Sequence, residues 1–470
     1  MSNESTGLVK TIKESSVRWI DLQFVDLFGS LQHITVPAHT IGEFEEENGI
    51  GKLDGSSIKG FKAIFESDMV LVPDIKTFRK IPYSQETARI FCNVYESGKK
   101  ERFERDSRYI AQKATGVLNE AGFDTSYWGP EAEFFVFDSV SVDTLNAYRG
   151  QSYSINSSEA AWNKELNNYP IKFKEGYYPA TPTDTLSELR TKICVDLEDS
   201  FDIRIDAHHH EVATAGQIEI DMHYDKMVEM ADMLVTYKYV VRNVSKMMGK
   251  IATFMPKPLF GDNGSGMHVH QSLWNKGRNI FYDSNEEYAQ ISTTCRYYIG
   301  GILKHARALS AILSPTTNSY KRLVAGYEAP IYLAWSKRNR SAAIRIPAYH
   351  DNESSKRIEY RSPDPAANPY LAFAAMSMAG LDGIKHKIEP GTPIDANIWH
   401  LNKTKRKEMG INELPASLEE ALDELESDNQ FLLGVFGRQT IETYLEMKRE
   451  EAKQNSIRPT PYEFYTYLDA

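Results

Sequence analysis

Acidic and histidine side chains recur two residues apart in several segments of this 470-residue chain. Glu131 and Glu133 lie in GPEAEFFVF, and His268 and His270 lie in GMHVH. Alternate residues of a β-strand project from the same face, so each pair is expected to point to one side of a sheet. The further members of the pattern are Glu211 in HHHEVATAG, Glu219 in GQIEID, and Glu359 with Arg361 in RIEYRSP.

The apolar neighbours of these carboxylates favour a bound cation. Phe134, Phe135 and Val136 follow Glu133, and an isolated charge buried among such side chains is strongly unfavourable. Glutamates with one histidine suit the hard ions Mg²⁺ or Mn²⁺ better than zinc, which prefers cysteine and histidine. We therefore predict two or more such ions. The predicted ligands are Glu131, Glu133, Glu211, Glu219, His268 and Glu359.

Arginines in the second half of the chain could bind an anionic substrate beside these ions. They are Arg322, Arg340, Arg345, Arg357 and Arg361. A metal pair with surrounding cations is the arrangement that phosphoryl transfer needs, because catalysis there is mostly positioning and charge neutralisation. Any one glutamate taken alone is better explained as an ordinary surface or salt-bridged residue. The joint occurrence of these residues favours catalysis.

Composition and motif content disfavour several classes of protein. Lys and Arg total 54 against 65 Asp and Glu, and the net charge of −11 argues against nucleic acid or an anionic membrane as the main partner. No GxxxxGK[ST] motif occurs, and HEVAT at His210 lacks the second histidine of HExxH. Cys92, Cys194 and Cys295 have no zinc-type spacing. The polar N-terminus and the short apolar run 369–381 predict a cytoplasmic protein without a membrane span.

Periodicity predicts the elements that position these residues. Alternating apolar residues from Ile20 to Phe24 indicate a β-rich N-terminal unit that ends near Lys100. Residues 127–136 are expected to form one buried strand, and residues 139–176 are an excursion longer than an ordinary connection. Further helices are predicted at 105–122, 187–201, 227–249, 296–313, 369–385, 418–425 and 428–450, and strands at 203–208 and 217–223.

Eight segments resemble, in order and spacing, the signature segments of type I glutamine synthetase. They are LDGSSIKGF, GPEAEFF, HHHEVATAGQIEID, KYVVRNVS, TFMPKPLFGDNGSGMHVHQSL, RLVAGYEAP, NRSAAIRIP and RIEYRSPDPAANPYLAFAAM. The resemblance covers nearly the whole chain, and motifs of this length are highly specific. It implies an α+β fold. A small β-grasp-like N-terminal domain (1–104) would precede a larger catalytic domain (105–470) with a curved antiparallel sheet flanked by helices, the insertion around 139–176, and a helical C-terminal region.

The resemblance implies an enzyme that uses ATP to condense L-glutamate with ammonium, through γ-glutamyl phosphate, giving glutamine, ADP and phosphate. Glu133, Glu211 and Glu219 would bind the metal nearest glutamate and ammonium, and Glu131, His268 and Glu359 the metal that holds the ATP phosphates. A reactive acyl phosphate needs a site that excludes water. The family forms twelve-subunit assemblies of two hexameric rings with active sites shared between subunits, and a small regulatory protein is a possible partner.

Other roles come from the same resemblance. Asn263, Gly264, Arg322 and Arg361 would bind glutamate, while Tyr224, His270, Ser272, Arg340, Arg345 and Arg357 would bind ATP. Asp54, Tyr177 and Glu211 would form the ammonium pocket. The catalytic residues would be Asp54, which removes a proton from ammonium, Glu328 on a closing flap, and Arg340.

Two positions depart from the regulatory patterns of the family. Trp399 in IDANIWHL stands where one branch has a tyrosine that becomes adenylylated, so that modification is expected to be absent. Ala63 stands where a glutamine-inhibited branch tends to have arginine. The feedback inhibitor is therefore not predicted.

Two other functions remain as alternatives. One is a related ligase that joins glutamate to an organic amine, which would need an apolar pocket in place of the small cationic one around Asp54 and Tyr177. The other is a non-catalytic structural or regulatory relative. Such a relative should lack some metal ligands, whereas all six positions are filled in this sequence.

Overall fold

The computed structural model describes residues 7–98, 101–163, 169–324, 329–349 and 352–470. An N-terminal six-stranded sheet comes first in the chain. Its order is Leu31–Pro37, Trp19–Val25, Ser84–Glu96, Asp68–Pro73 and Ile50–Asp54, with Arg79–Ile81 pairing with Ser84–Glu96. Trp19–Val25 runs parallel to Ser84–Glu96, and Ile20, Leu22 and Phe24 lie in the core of this unit. The predicted β-rich N-terminal unit is confirmed.

Two further sheets form the framework of the second unit. The seven-stranded sheet has the order Asp225–Lys226, Thr125–Ala132, Met267–Asn275, Ile358–Tyr360, Ile344–Ile346 and Trp335–Lys337, with Arg278–Asn279 pairing with Met267–Asn275. The four-stranded sheet has the order Ile205–His210, Gln217–Met222, Phe134–Phe137 and Ile251–Thr253. All these pairings are antiparallel except that of Trp335–Lys337 with Ile344–Ile346.

The prediction of one strand over residues 127–136 is wrong. The chain forms Thr125–Ala132 in one sheet and Phe134–Phe137 in the other, and Glu133 lies at the break. Glu133 donates its backbone N–H to the carbonyl of Gly266 instead of to a strand partner. The chain therefore passes from one sheet to the next at a residue predicted to bind metal.

Helices pack around these sheets. The long ones are Ser107–Glu120, Ser187–Phe201, Met227–Met247, Thr293–Leu313, Pro369–His386 and Arg438–Ser456, and the shorter ones are Leu8–Ser15, Glu43–Asn48, Ser319–Arg322, Lys403–Glu408, Leu418–Ser427, Leu433–Phe436 and Pro461–Tyr467. The helix predicted at 428–450 is confirmed only from Arg438 onward, because the chain breaks at Gly437, whose φ of +74° favours glycine. The other predicted helices are confirmed, with ends that shift by a few residues.

The apolar run that begins at Pro369 forms a buried core helix. Asn368 caps its N-terminus by accepting a hydrogen bond from the backbone N–H of Tyr370 at 3.1 Å. A Cβ on Gly301 would collide with the carbonyl of Ala379, so glycine lets the helix Thr293–Leu313 approach this one closely. None of the helices in the described ranges is long and apolar enough to cross a bilayer.

The excursion predicted at 139–176 carries a hairpin of Ser139–Asp143 and Ser152–Asn156. Its second half returns to the core, where Ile171 is buried and Lys174 donates its backbone N–H to Asp262 at 3.2 Å. Gly176 then donates its backbone N–H to the carbonyl of Val212. The excursion thus ends beside the segment that carries Glu211.

Arg108 fastens the N-terminal sheet to the second unit. Its guanidinium donates to Asp74 at 2.7 Å and to Asn93 at 2.8 Å on one side, and to Asp232 at 2.8 and 3.0 Å on the other. Tyr370 donates to the same Asp232 carboxylate at 2.5 Å. Removing a buried arginine with this many partners lowers the free energy of unfolding far more than removing one member of an exposed ion pair.

Candidate active site

Three neighbouring strands bring together residues that are far apart in the sequence. Met267–Asn275 lies between Thr125–Ala132 and Ile358–Tyr360, with His268 opposite Glu131 and His270 opposite Glu359. Glu131 accepts from His268 Nδ1 at 3.2 Å through one oxygen and from His270 Nε2 at 2.9 Å through the other. Candidate ligand atoms of Glu131, His268 and Glu359 lie within 4.8 Å of one another.

A second group of candidate ligands lies beside the first and shares His268. It consists of Glu133, Glu219 and His268, whose ligand atoms also lie within 4.8 Å of one another. Glu133 accepts from the side chain of Gln217 at 2.8 Å and from the backbone N–H of Gly266 at 3.1 Å. Glu211, just beyond the strand Ile205–His210, accepts from the backbone N–H of Val212 at 3.1 Å.

Histidine rings and arginines surround the carboxylates of Glu131 and Glu359. Burial would raise the pKa of Glu131, but the hydrogen-bonded rings of His270 and His268 hold it well below its ordinary value. Glu359 is fully buried and receives Arg345 Nε at 2.5 Å and Arg361 Nη1 at 2.6 Å. Burial also opposes the charge of Glu359, yet His270 and Arg361 lower its pKa to about 2. Both carboxylates are therefore anionic at neutral pH.

Glu133 and Glu219 have the opposite electrostatic environment. Burial raises the pKa of Glu133 to about 7, although the charge of Arg322 opposes the shift. Burial, followed by the charges of Glu131 and Glu133, raises the pKa of Glu219 well above its ordinary value. Burial lowers the pKa of His268 to about 4, so its ring is neutral and can act as a ligand.

These groups fit the predicted Mg²⁺ or Mn²⁺ ions. The donors are carboxylate oxygens with one neutral imidazole, which suits hard divalent cations. The raised pKa values of Glu133 and Glu219 show that this half of the cluster has a deficit of positive charge. A divalent cation would supply that charge.

A cavity of about 390 Å³ opens from the first ligand group. Glu131 lies in its wall, together with four predicted nucleotide-binding residues, Tyr224, His270, Ser272 and Arg357. Arg357 donates Nε–H to His270 Nδ1 at 3.1 Å, so the Nε2 hydrogen of His270 is directed at Glu131. Tyr127 and Trp274 add aromatic walls. Arg340 and Arg345, also predicted to bind ATP, are not among the described residues that line this cavity.

The four residues predicted to bind glutamate lie near the Glu133 half of the cluster, and none of them lines the cavity. Arg322 and Arg361 are buried, and Arg322 donates to the carbonyls of Ser362 at 2.8 Å and Arg361 at 3.2 Å. The carbonyl of Gly264 accepts from Gln217 at 3.1 Å. Asn263 precedes it and is buried. Gln217 therefore joins this loop to Glu133.

The residues predicted to bind ammonium are only partly brought together. The ring of Tyr177 stacks on Tyr178 with centroids 4.0 Å apart. Burial raises the pKa of Tyr177, and the charges of Glu211 and Arg340 act on it in opposite directions, which places those three residues in one region. Asp54 lies elsewhere and is exposed. Its carboxylate accepts hydrogen bonds from Ser56 and Ser57 in its own turn, and they lower its pKa.

Two further predictions meet different outcomes. Glu328, predicted to lie on a flap, is outside the described residues. Trp399 lies in the short 3₁₀ helix Ile398–His400 and packs against a small apolar cluster that includes Ile394 and Ile411.

Sequence reasoning missed several residues of this region. His209 is not among the predicted ligands, yet its Nε2 lies 3.2 Å from Glu219 Oε1, and burial lowers its pKa. Asp221 follows Glu219 by two positions on the same strand face, so the alternation that identified Glu219 could have identified it too. His210 was not assigned a role. It is buried and its Nδ1 donates to the carbonyls of Gly176 and Glu211, both at 2.7 Å.

The comparisons with known proteins cover both units. A model of the glutamine synthetase catalytic domain matches residues 104–467, and a model of the glutamine synthetase beta-grasp domain matches residues 16–97. The N-terminal sheet is therefore a β-grasp domain, and the predicted fold class is confirmed.

Full-length relatives carry the same family name. Glutamine synthetase of Sulfolobus acidocaldarius is 55% identical over 470 residues, covering 100% of this chain and 99% of the relative. Glutamine synthetase of Aquifex aeolicus is 49% identical over 464 residues, covering 97% of each. The Plasmodium falciparum glutamine synthetase structure superposes with a TM-score of 0.89 and 30% identity, covering 99% of both chains. The chain belongs to the glutamine synthetase family.

Proposed function

We propose that this chain catalyses the ATP-dependent condensation of L-glutamate with ammonium through γ-glutamyl phosphate, releasing glutamine, ADP and phosphate. The observation that carries the proposal is the position of the carboxylate–histidine cluster. Glu131 of the cluster lines a cavity that contains predicted nucleotide-binding residues, and Gln217 joins Glu133 of the cluster to the loop of Gly264, which lies against the buried Arg322. Two anionic substrates bound on either side would meet at the cluster.

The six predicted ligands would hold two Mg²⁺ or Mn²⁺ ions. Glu131, His268 and Glu359 would hold one, and Glu133, Glu211 and Glu219 the other. Bound there, the ions would neutralise phosphate charge and polarise the transferring phosphoryl group. Arg345 and Arg361 keep Glu359 ionised, so this ligand is ready at neutral pH.

In the first step a γ-carboxylate oxygen of glutamate attacks the γ-phosphorus of ATP. The P–O bond to ADP breaks and γ-glutamyl phosphate forms. Arg322, Arg361, Asn263 and Gly264 would orient the glutamate. Arg340 would stabilise the charge that develops near the acyl phosphate, which agrees with its influence on Tyr177.

In the second step ammonia attacks the acyl carbon. The C–O bond to phosphate breaks, the departing phosphate takes up one proton from the nitrogen, and the amide forms. Before this attack the ammonium ion gives up its first proton to a base. Tyr177 and Glu211 would form the wall of a cation pocket, and Asp54, whose pKa is lowered, would be ionised to accept that proton. Glu328 would shield the intermediate from water.

Asp54 would act in a neighbouring subunit, as the family resemblance implies, since its side-chain hydrogen bonds come from Ser56 and Ser57 and not from the cluster. A closed ring of subunits, and a dodecamer of two such rings in the cytoplasm, would complete every site. Random co-assembly of Asp54→Asn and Glu131→Gln subunits should restore roughly one quarter of wild-type activity, since each intact half is present about half the time. No recovery in rings shown by mass to contain both subunits would place Asp54 in its own chain's site.

The reaction itself is tested by phosphate release from ATP with glutamate. We expect strong dependence on ammonium and little activity with putrescine, ethanolamine or no amine. Turnover only with an organic amine would favour the related amine ligase. No turnover under any condition, with folded rings and bound Mn²⁺, would favour a non-catalytic relative.

A further inference from the structure

A buried carboxylate of the excursion 139–176 reaches the segment that carries Glu211. Glu159 is only 1% exposed, and its Oε2 atom lies 3.2 Å from His210 Nε2. Its Oε1 atom accepts hydrogen bonds from the backbone N–H of Thr185 at 2.7 Å and from the Thr185 hydroxyl at 2.8 Å. The proposed reaction uses neither Glu159 nor His210. Because both of its oxygens are engaged, Glu159 can hold the His210 ring in a fixed orientation.

The other ring nitrogen of His210 joins two stretches of backbone. Nδ1 lies 2.7 Å from the carbonyl oxygens of both Gly176 and Glu211. A carbonyl oxygen can only accept, so Nδ1 carries a hydrogen and donates it to these two groups. A hydrogen between Nε2 and Glu159 Oε2 completes the contacts of the ring. Rotation of the ring would therefore leave buried polar groups without partners, which is unfavourable.

The two stretches approach too closely for a side chain at position 176. A Cβ on Gly176 would lie 2.6 Å from the carbonyl oxygen of Glu211 and 2.7 Å from that of Ala213. Gly176 also donates its backbone N–H to the carbonyl of Val212 at 3.0 Å. Tyr177, the next residue, and Glu211 are the two predicted walls of the ammonium pocket. The distance between these walls therefore depends on this backbone contact.

We propose that Glu159 and His210 are positioning residues of the ammonium pocket. Glu159 orients the ring of His210, and the ring holds the segment of Tyr177 against the backbone of Glu211. This inference rests on the proposed function, and it gives the excursion a role in that reaction, because the excursion supplies Glu159. A small displacement of a binding group can lower turnover by a large factor, so the pocket needs such support.

The test measures KM for ammonium, ATP and glutamate in the full assembly at saturating Mn²⁺. Glu159→Leu keeps a side chain of similar size and removes both acceptors. Its KM for ammonium should rise about 10-fold, as is typical for the loss of a residue that orients a binding group, while KM for ATP and glutamate stays close to wild type. Thr185→Val is the matched control, because it removes one hydrogen bond to Glu159 Oε1 and leaves Oε2 beside His210. Its three KM values should equal those of the wild type.

Conservative variants separate positioning from general stability. Glu159→Gln retains an oxygen for Thr185 and can donate an amide hydrogen to His210 Nε2, so its KM for ammonium should return most of the way to the wild-type value. His210→Asn retains a donor for the carbonyls of Gly176 and Glu211, whereas His210→Leu has none. KM for ammonium should therefore be lower in His210→Asn than in His210→Leu. This pair tests the proposal if Glu159→Leu folds poorly.

Hydrogen–deuterium exchange reports the same segment without turnover. The backbone N–H of Gly176 donates to Val212, and that of Tyr178 donates to the carbonyl of His210 at 3.4 Å. Both should exchange faster in Glu159→Leu than in wild type or Thr185→Val, because hydrogen bonds in a loosened segment open more often.

Three results would overturn the proposal. They are unchanged ammonium KM with unchanged exchange in Glu159→Leu, an equal rise in all three KM values, and an equal effect of Thr185→Val. If the wild type showed no ammonium-dependent turnover, the proposed reaction would be wrong. Faster exchange in Glu159→Leu would then still support the positioning of the segment, and equal exchange would overturn it.

Discussion

The carboxylates of the candidate active site form two sets with opposite environments. Glu131 and Glu359 are paired with histidine or arginine, and their pKa values are lowered despite burial. Glu133 and Glu219 face other carboxylates, and burial raises their pKa values. Glu131 and Glu359 are therefore ionised before a metal ion binds. Glu133 and Glu219 must instead release protons when a metal ion binds. Metal binding at the second set should therefore depend much more steeply on pH.

Glu359→Ala should have the largest effect on the molecule. It leaves Arg345 and Arg361 buried without their shared carboxylate, which should cost about 3–5 kcal/mol of the free energy of unfolding. Activity should fall by about 100-fold or more, because a proposed metal ligand is lost as well. Chemical denaturation and phosphate release measure the two effects.

The control for that variant is Glu86→Ala, which removes an exposed partner lying 3.4 Å from Arg18. Its effect on the free energy of unfolding should stay below about 1 kcal/mol. If Glu359→Ala lowered the free energy of unfolding as little as the control does, Arg345 and Arg361 would not depend on the Glu359 carboxylate as proposed.

Glu133→Gln should change how the stability of the metal-free protein depends on pH. Glu133 has a pKa of about 7 in the folded chain, above its ordinary value of 4.5. Its contribution to the free energy of unfolding is fully present below about pH 4.5 and is lost as the pH rises through about 7. The loss amounts to roughly 3 kcal/mol. The variant lacks this carboxyl, so its stability should fall less over the same interval.

Urea unfolding of the EDTA-treated proteins at about pH 5 and about pH 8 measures this difference. The wild type and Glu133→Gln share every other titrating group. The difference between their pH-dependent changes in the free energy of unfolding therefore gives the contribution of Glu133. Parallel pH profiles would mean that Glu133 is already ionised in the metal-free fold, and the contrast between the two sets of carboxylates would then be wrong.

His270→Leu should have the smallest of the three effects. It removes the hydrogen bond of 2.9 Å to Glu131 and the acceptor for Arg357, so the pKa of Glu131 should rise. Mn²⁺ affinity should weaken by about 10-fold, as is typical for a residue that orients a ligand. His270→Gln retains a donor and should recover part of that affinity in an equilibrium titration. Equal affinity in His270→Leu and wild type would show that Glu131 does not need this partner.

Local sequence patterns were enough to predict much of the framework. Alternation identified the faces of Met267–Asn275 and Gln217–Met222, because successive strand residues point to opposite sides whatever the fold. Apolar periodicity predicted most of the long helices, including the buried helix Pro369–His386. The roles of the ligands and substrates came from long motifs that resemble a known family, since composition alone could not distinguish the substrates.

Tertiary structure decided which of these strand faces meet and in which direction the pKa of each carboxylate shifts. Glu131, His268 and Glu359 become neighbours through the order and register of three strands, which depend on packing between distant segments. The break at Glu133 follows from a change of sheet that its apolar neighbours do not reveal. The opposite pKa shifts of Glu359 and Glu133 arise because neighbouring positive charge outweighs burial at Glu359, whereas burial outweighs the charge of Arg322 at Glu133.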